Sequence, residues 1–98
     1  MRLINITNSY HRLVTQQLAT TKADYVSVYS LGKTTVLFTR SSKTREILLK
    51  NDKRHIQQAE IDFVVKELVD IDSTDDVEIL NDGSLVEITI PTPSTTAS

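Results

Sequence analysis

Two glycine-containing turns constrain the fold of this chain more than any other feature. Gly32 and Gly83 are the only glycines in 98 residues, and each lies between two runs rich in β-branched and aliphatic side chains. Glycine adopts the positive φ angles of tight hairpin turns without steric cost. Segments 31–33 and 81–84 therefore each predict a β-hairpin, the second strengthened by the Asn-Asp-Gly sequence.

The strands are predicted from alternating or continuous apolar runs around these turns. A third apolar run extends the first hairpin into a meander, and a short strand opens the chain. The terminal hairpin either joins a single six-stranded sheet or stands apart as an arm that pairs with another chain. The predicted strands occupy residues 2–6, 25–31, 34–39, 45–50, 77–80 and 85–90.

Two helices are predicted from apolar residues that recur at three- and four-residue spacing. The first extends from about residue 9 to residue 22 and has one narrow apolar stripe. The second is predicted to follow residues 51–52, whose side-chain oxygens are suitable caps, and to end at residues 72–76. Its main apolar stripe is accompanied by Ile56 and Phe63 on a different face, roughly 130–150° away.

A helix with two apolar faces must bury both or leave one for a partner, so Ile56 and Phe63 are the candidate partner-binding residues. One interpretation is that the helix is buried more deeply in its own domain than a two-layer fold suggests. The other is that this strip docks against a second chain. Both interpretations remain open from the sequence.

The element order β-α-β-β-β-α-β-β predicts an α+β fold, with a largely antiparallel sheet and two helices packed on one face. The length fits a single domain, which we assign to residues 1–90. Residues 91–98 have no periodicity and no core residues, so they predict a disordered C-terminal tail.

The composition and the missing motifs argue against several functional classes. The chain has no cysteine, so disulfides and thiolate metal sites are excluded, and it has no apolar run long enough for a secretory signal or a membrane span. It also lacks a phosphate-binding glycine loop and a nucleophile elbow, and His11 and His55 do not complete a metal site. These features predict a cytoplasmic protein without a membrane segment, metal, cofactor or enzymatic activity.

Charge is distributed unevenly, although the formal net charge is only −2. Residues 40–54 contain six basic and two acidic residues, whereas residues 60–82 contain nine acidic residues and one basic residue. The basic stretch is therefore a candidate site for RNA or another polyanion, although it lacks the interleaved aromatic residues of many nucleic-acid binders. Its basic residues are Arg40, Lys43, Arg45, Lys50, Lys53 and Arg54.

Three short strings resemble a small family of uncharacterised proteins from lactic-acid bacteria and streptococci. They are the opening residues 1–9, Asn51-Asp52-Lys53-Arg54 and Glu60-Ile61-Asp62. The resemblance covers about residues 1–90 and implies a bacterial cytoplasmic protein of unknown function, with no active-site residue assigned.

The leading functional hypothesis is a non-enzymatic interaction module that self-associates or docks onto another protein. It depends on the two-faced second helix, the uneven charge and the lack of a catalytic constellation. Polyanion binding through residues 40–54 is the alternative hypothesis.

Overall fold

The computed structural model describes residues 2–69 and 77–91, which contain six strands and two α-helices. The predicted α+β class and element order are confirmed. Within the described ranges, neither helix is long and apolar enough to cross a membrane. The elements are β1 (Ile4–Asn5), a 3-10 helix (Thr7–Tyr10), α1 (His11–Thr20), β2 (Tyr25–Leu31), β3 (Thr34–Arg40), β4 (Thr44–Lys50), α2 (Gln58–Val69), β5 (Glu78–Asn81) and β6 (Leu85–Pro91).

The six strands form one antiparallel sheet in the order β1-β2-β3-β4-β6-β5. The terminal hairpin joins this sheet because β6 pairs with β4, where Ile88 lies opposite Ile47 and Val86 lies opposite Leu49. Apolar cross-strand pairs of this kind stabilise sheet register. The hairpin is therefore part of the main sheet and not a separate arm, and β5 forms the outer edge.

The face of the sheet that α2 covers, called the covered face below, contains the main core. Ile61, Val64 and Val65 of α2 are buried in one apolar cluster with side chains from the central strands. Full burial of one such side chain contributes about 1.5–3 kcal/mol, so this layer is the main source of stabilising burial. Its strand residues include Val36, Phe38, Ile47, Leu49, Val86, Ile88 and Ile90.

The first helix lies beside the opposite face, called the open face below. It packs against β2, whose Val26 and Val28 are buried yet lie outside the α2 cluster. Successive strand residues point to opposite faces, so these valines face away from α2. The prediction that both helices pack on one face of the sheet is wrong. An apolar stripe shows which side of a helix is buried, but it does not show which face of the sheet the helix packs against.

The second helix begins at Gln58, later than the predicted cap at Asn51. The side-chain oxygen of Asn51 does accept the backbone N–H groups two and three residues ahead, at 2.8 and 3.1 Å, as a cap does. The following residues nevertheless do not form a helix. The backbone N–H groups of Asn51 and Ile56 donate instead to the carbonyls of Ser84 and Gly83, and these bonds hold the loop against the terminal hairpin.

Pro91, the first residue of the predicted tail, belongs to β6. Its carbonyl accepts a 2.7 Å hydrogen bond from Nη2 of Arg45. The rest of that tail, residues 92–98, lies outside the described residues, as do residues 72–76, where the second helix is predicted to end.

The two turn glycines give a matched test of the hairpins. Their φ angles are +62° at Gly32 and +89° at Gly83. A Cβ atom at Gly32 would meet nothing within 4 Å, whereas one at Gly83 would lie 3.3 Å from the ring of His55. We expect Gly32→Ala to lower the free energy of unfolding by about 1 kcal/mol through backbone strain alone, and Gly83→Ala to lower it further, as measured by urea denaturation.

His55→Ala supplies the control for the Gly83 contact. In that background the excess cost of Gly83→Ala over Gly32→Ala should shrink, because the ring that the new methyl group meets has been removed. Equal losses for the two single alanine variants would contradict the contact.

Candidate functional site

A buried polar network connects the start of α2 to β3 and to the loop after β4. Its centre is Glu60, only 6% exposed. One carboxylate oxygen, Oε2, accepts a hydrogen bond from Oγ1 of Thr34 at 3.1 Å, and Oε1 accepts the backbone N–H of Gln57 at 3.0 Å. Nδ2 of Asn51 donates to the same Thr34 oxygen at 3.0 Å. The network thus gives hydrogen-bond partners to polar groups that burial would otherwise destabilise.

Arg54 closes this network from the solvent side. Its two terminal nitrogens donate to the two carboxylate oxygens of Glu60, each at 2.9 Å, in the bidentate geometry that makes such pairs strong. The hydrogen bonds from Arg54 are the main cause that lowers the pKa of Glu60 to about 2, against the opposing effect of burial. Because Glu60 also binds back to the N–H of Gln57, as the acidic residue of a capping box does, the network determines where α2 starts.

The predicted partner-binding residues Ile56 and Phe63 lie against the chain's own core. Ile56 is 5% exposed and belongs to the α2 cluster, and Phe63 is half-buried and packs against that cluster. Ile56 lies in the loop before α2 rather than on the helix, and its burial leaves almost no surface for a second chain. Phe63 lies on α2 and packs against the core from the helix.

The basic stretch 40–54 does not form one continuous surface. Its two halves lie at opposite ends of β4, and a seven-residue strand is roughly 20 Å long. Three of its cations also have partners. Arg40 lies 5.2 Å from the ring centroid of Tyr25 and 3.8 Å from Asp24, Arg45 donates to the carbonyl of Pro91, and Arg54 pairs with Glu60. At the β3–β4 turn lie Arg40, Lys43 and Arg45, and at or beyond the other end lie Lys50, Lys53 and Arg54.

The two histidines lie in different parts of the fold. His11 begins α1, and His55 lies in the loop before α2 rather than within the helix. Across residues 2–69 and 77–91, no group of three His, Cys, Asp or Glu residues is placed to hold a metal ion.

The open face carries a groove beside α1, which packs against β2; in the ranges 2–69 and 77–91, no helix lies over β3, β4, β6 and β5 on this face. Its volume is about 420 Å³, and it extends from Gln17 on α1 and Thr21 just after it to Leu80 on β5. Neighbouring strands are about 4.8 Å apart, so four strands span about 14 Å. This width has room for one further α-helix, whose diameter is about 10–12 Å.

The strand register places two rows of side chains along this groove. In one row, Leu37 on β3 lies opposite Leu48 on β4, which lies opposite Glu87 on β6, and Leu80 on β5 completes the row. Leu80 is 68% exposed, and Leu37 and Leu48 are half-buried. The other row, two residues along the strands, contains Thr39, Glu46, Thr89 and Glu78.

Three exposed carboxylates surround Thr89 in the groove. Glu46 and Glu78 lie opposite it on the two flanking strands, and Glu87 precedes it by two residues on the same face. Glu46 and Glu87 are thus diagonal neighbours, roughly 7–8 Å apart. Glu46 accepts a 3.5 Å hydrogen bond from Oγ1 of Thr44, but the ion pairs found among the described residues involve none of the three. The groove therefore combines apolar surface with negative charge that no described cation pairs with.

Sequence reasoning did not single out these groove residues, although a signal was present. The segments Val36-Leu37-Phe38 and Ile47-Leu48-Leu49 are continuous apolar runs, not alternating ones. Such runs are typical of strands that are covered on both faces. They therefore indicate that the central strands offer apolar surface to a layer on the open face, although they do not reveal what forms it.

The pH dependence of stability tests the role of Glu60. Its pKa is lowered from an ordinary value of 4.5 to about 2, so its charge stabilises the fold fully above pH 4.5, and this contribution is lost as the pH falls from 4.5 through 2. We expect Glu60→Gln to lower the free energy of unfolding at pH 7 by about 1–3 kcal/mol, with the difference from wild type shrinking across that window.

Glu67→Gln on the exposed side of α2 is the matched control for this measurement. It removes the same charge without a buried partner, so its cost should stay within about 0.5 kcal/mol. A pH-independent effect of Glu60→Gln in urea titrations would show that the charge of Glu60 is not what stabilises the start of α2.

Comparison with known proteins gives one family and one close fold relative. The family model described as Domain of unknown function (DUF1827) matches residues 1–91. The crystal structure of a conserved protein of unknown function from Streptococcus thermophilus is similar to this chain at 31% identity and a TM-score of 0.88, over 96% of this chain and 99% of that chain. No curated protein matches. The resemblance to uncharacterised bacterial proteins is thus confirmed, and this chain belongs to the DUF1827 family.

Proposed function

We propose that this chain is a non-enzymatic, cytoplasmic protein-binding module whose docking surface is the groove on the open face. One observation carries the proposal: Leu80 is 68% exposed at the edge of an uncovered strip of sheet that also contains the half-buried Leu37 and Leu48. Exposed apolar surface of this kind is unfavourable in water and is typical of interaction sites.

The side chains of the groove are also arranged as in interfaces where a small number of contacts supplies most of the binding energy. Removing one exposed leucine from water contributes about 1.5–3 kcal/mol, and a few central side chains usually supply most of the binding energy. Leu37 and Leu48 lie side by side on neighbouring strands, and Glu87 separates Leu48 from Leu80. The neighbouring row of threonines and glutamates forms a polar border. Apolar centres with polar rims are the usual anatomy of protein interfaces.

The two surfaces predicted from the sequence are less suited to a partner than the groove. Ile56 is buried in the chain's own core, and the basic stretch 40–54 is divided between the two ends of β4. Polyanion binding is therefore less favoured than protein binding. A cytoplasmic location is consistent with the absence of cysteine, because reducing compartments do not offer disulfide stabilisation.

Site-specific photo-crosslinking in the native host tests this proposal. A photoreactive benzophenone amino acid at position 80 lies at the rim of the groove, whereas the same residue at position 67 lies on the exposed side of α2. We expect one discrete crosslinked protein from position 80 and none of that mass from position 67, as measured by gel electrophoresis and mass spectrometry. Adding Leu48→Glu should reduce the crosslink at least fivefold.

Equal crosslinking from positions 80 and 67, or no crosslink from position 80, would remove the groove as the docking surface. Because the crosslinking residues are solvent-exposed, both variants should retain the wild-type urea midpoint. That measurement excludes unfolding as the cause of a lost crosslink.

A further inference from the structure

Resting on the proposed function, we propose that the partner inserts a basic amphipathic α-helix into the groove. The uncovered strip between α1 and β5 is about 14 Å wide and, along the seven-residue strands β3, β4 and β6, roughly 20 Å long. A helix of about 14 residues is 21 Å long and 10–12 Å across. One helix alongside α1 would thus complete a second helical layer on the sheet.

The side chains of the groove select an amphipathic helix. Leu37 and Leu48 are adjacent on neighbouring strands, and Leu80 lies two strands beyond Leu48. These three leucines form an interrupted apolar strip that suits the apolar face of a helix, with residues at three- and four-residue spacing. The rest of the floor is polar, so a helix that is apolar all round would bury groups without partners.

The carboxylates determine the charge of that helix. Glu46 and Glu87 are diagonal neighbours on the same face, and Glu78 lies across Thr89 from Glu46. Like charges this close repel each other, so a Lys or Arg side chain between them would pair with both and relieve the repulsion. A neutral or acidic helix would instead cover these charges without compensation, which is costly.

The cations on this side of the sheet do not neutralise the carboxylates. Lys22 lines the rim of the groove at the end of α1, and Lys50 lies opposite Leu85 at the far end of the face. Neither forms an ion pair with Glu46, Glu78 or Glu87 within the part of the chain that the structure describes. Two copies of this chain stacked open face to open face would bring their acidic groups together, which disfavours a second copy as the occupant.

Defined peptides test the inference with the full-length protein. The probe is a 14-residue peptide of leucine and lysine in helical amphipathic order, compared with a twin in which glutamate replaces each lysine and with a scrambled peptide of the same composition. We expect saturable 1:1 binding of the basic amphipathic peptide by fluorescence anisotropy, at least tenfold tighter than binding of the acidic twin or the scrambled peptide.

Charge reversal in the groove provides the decisive comparison. The double variant Glu46→Lys with Glu87→Lys should invert the preference, so that the acidic twin binds at least tenfold tighter than the basic peptide. Glu67→Lys on α2 is the matched control and should leave the original preference unchanged. Since all three positions are exposed, circular dichroism and urea midpoints should match wild type.

The inference is overturned if the basic and acidic peptides bind equally, if the scrambled peptide binds as tightly as the ordered one, or if the double variant keeps the original preference. It is also overturned if light scattering shows a dimer that Leu80→Lys abolishes, since a second copy then fills the groove.

A crosslink from position 80 to a partner without a basic helix would leave the proposed function standing and remove only this inference. Absence of any such crosslink would remove the function itself.

Discussion

The pairing of the Glu60 carboxylate is the interaction on which the arrangement of α2 depends. A carboxylate this deeply buried must be paired, because an uncompensated buried charge costs several kcal/mol. Its donors come from Arg54 in the preceding loop, Thr34 on β3 and the backbone of Gln57. These three points fix the first turn of α2 above one end of the sheet. With that turn in place, the apolar stripe of the helix meets the central strands.

Unequal coverage of the two sheet faces is the main consequence of this arrangement. The second helix and its preceding loop pack over the central strands on the covered face, whereas α1 packs mainly against β2 on the open face. Leu37 on β3 and Leu48 on β4 are thus left half-buried at the open face. The groove is a direct result of where the helices lie: α2 packs over the central strands, and α1 packs beside them against β2.

Two of the three sequence strings that carry the family resemblance contribute to the Glu60 network rather than to the groove. Asn51 and Arg54 belong to one string and Glu60 to another, and all three take part in the same set of hydrogen bonds. These strings thus describe a structural junction between loop, strand and helix. That explains why they identify a fold and a family without containing a reactive constellation.

The sequence by itself determined the hairpins, the element order and the fold class, because turn conformation and side-chain alternation depend on near neighbours. Gly32 and Gly83 mark turns whatever the rest of the chain does. Tertiary structure alone decided the start of α2, since the loop that follows Asn51 is held by backbone bonds to Gly83 and Ser84, which are distant in the sequence. It also decided which face each helix covers and that Glu46 and Glu87 become neighbours, because periodicity shows that a face is apolar or charged but not what lies against it.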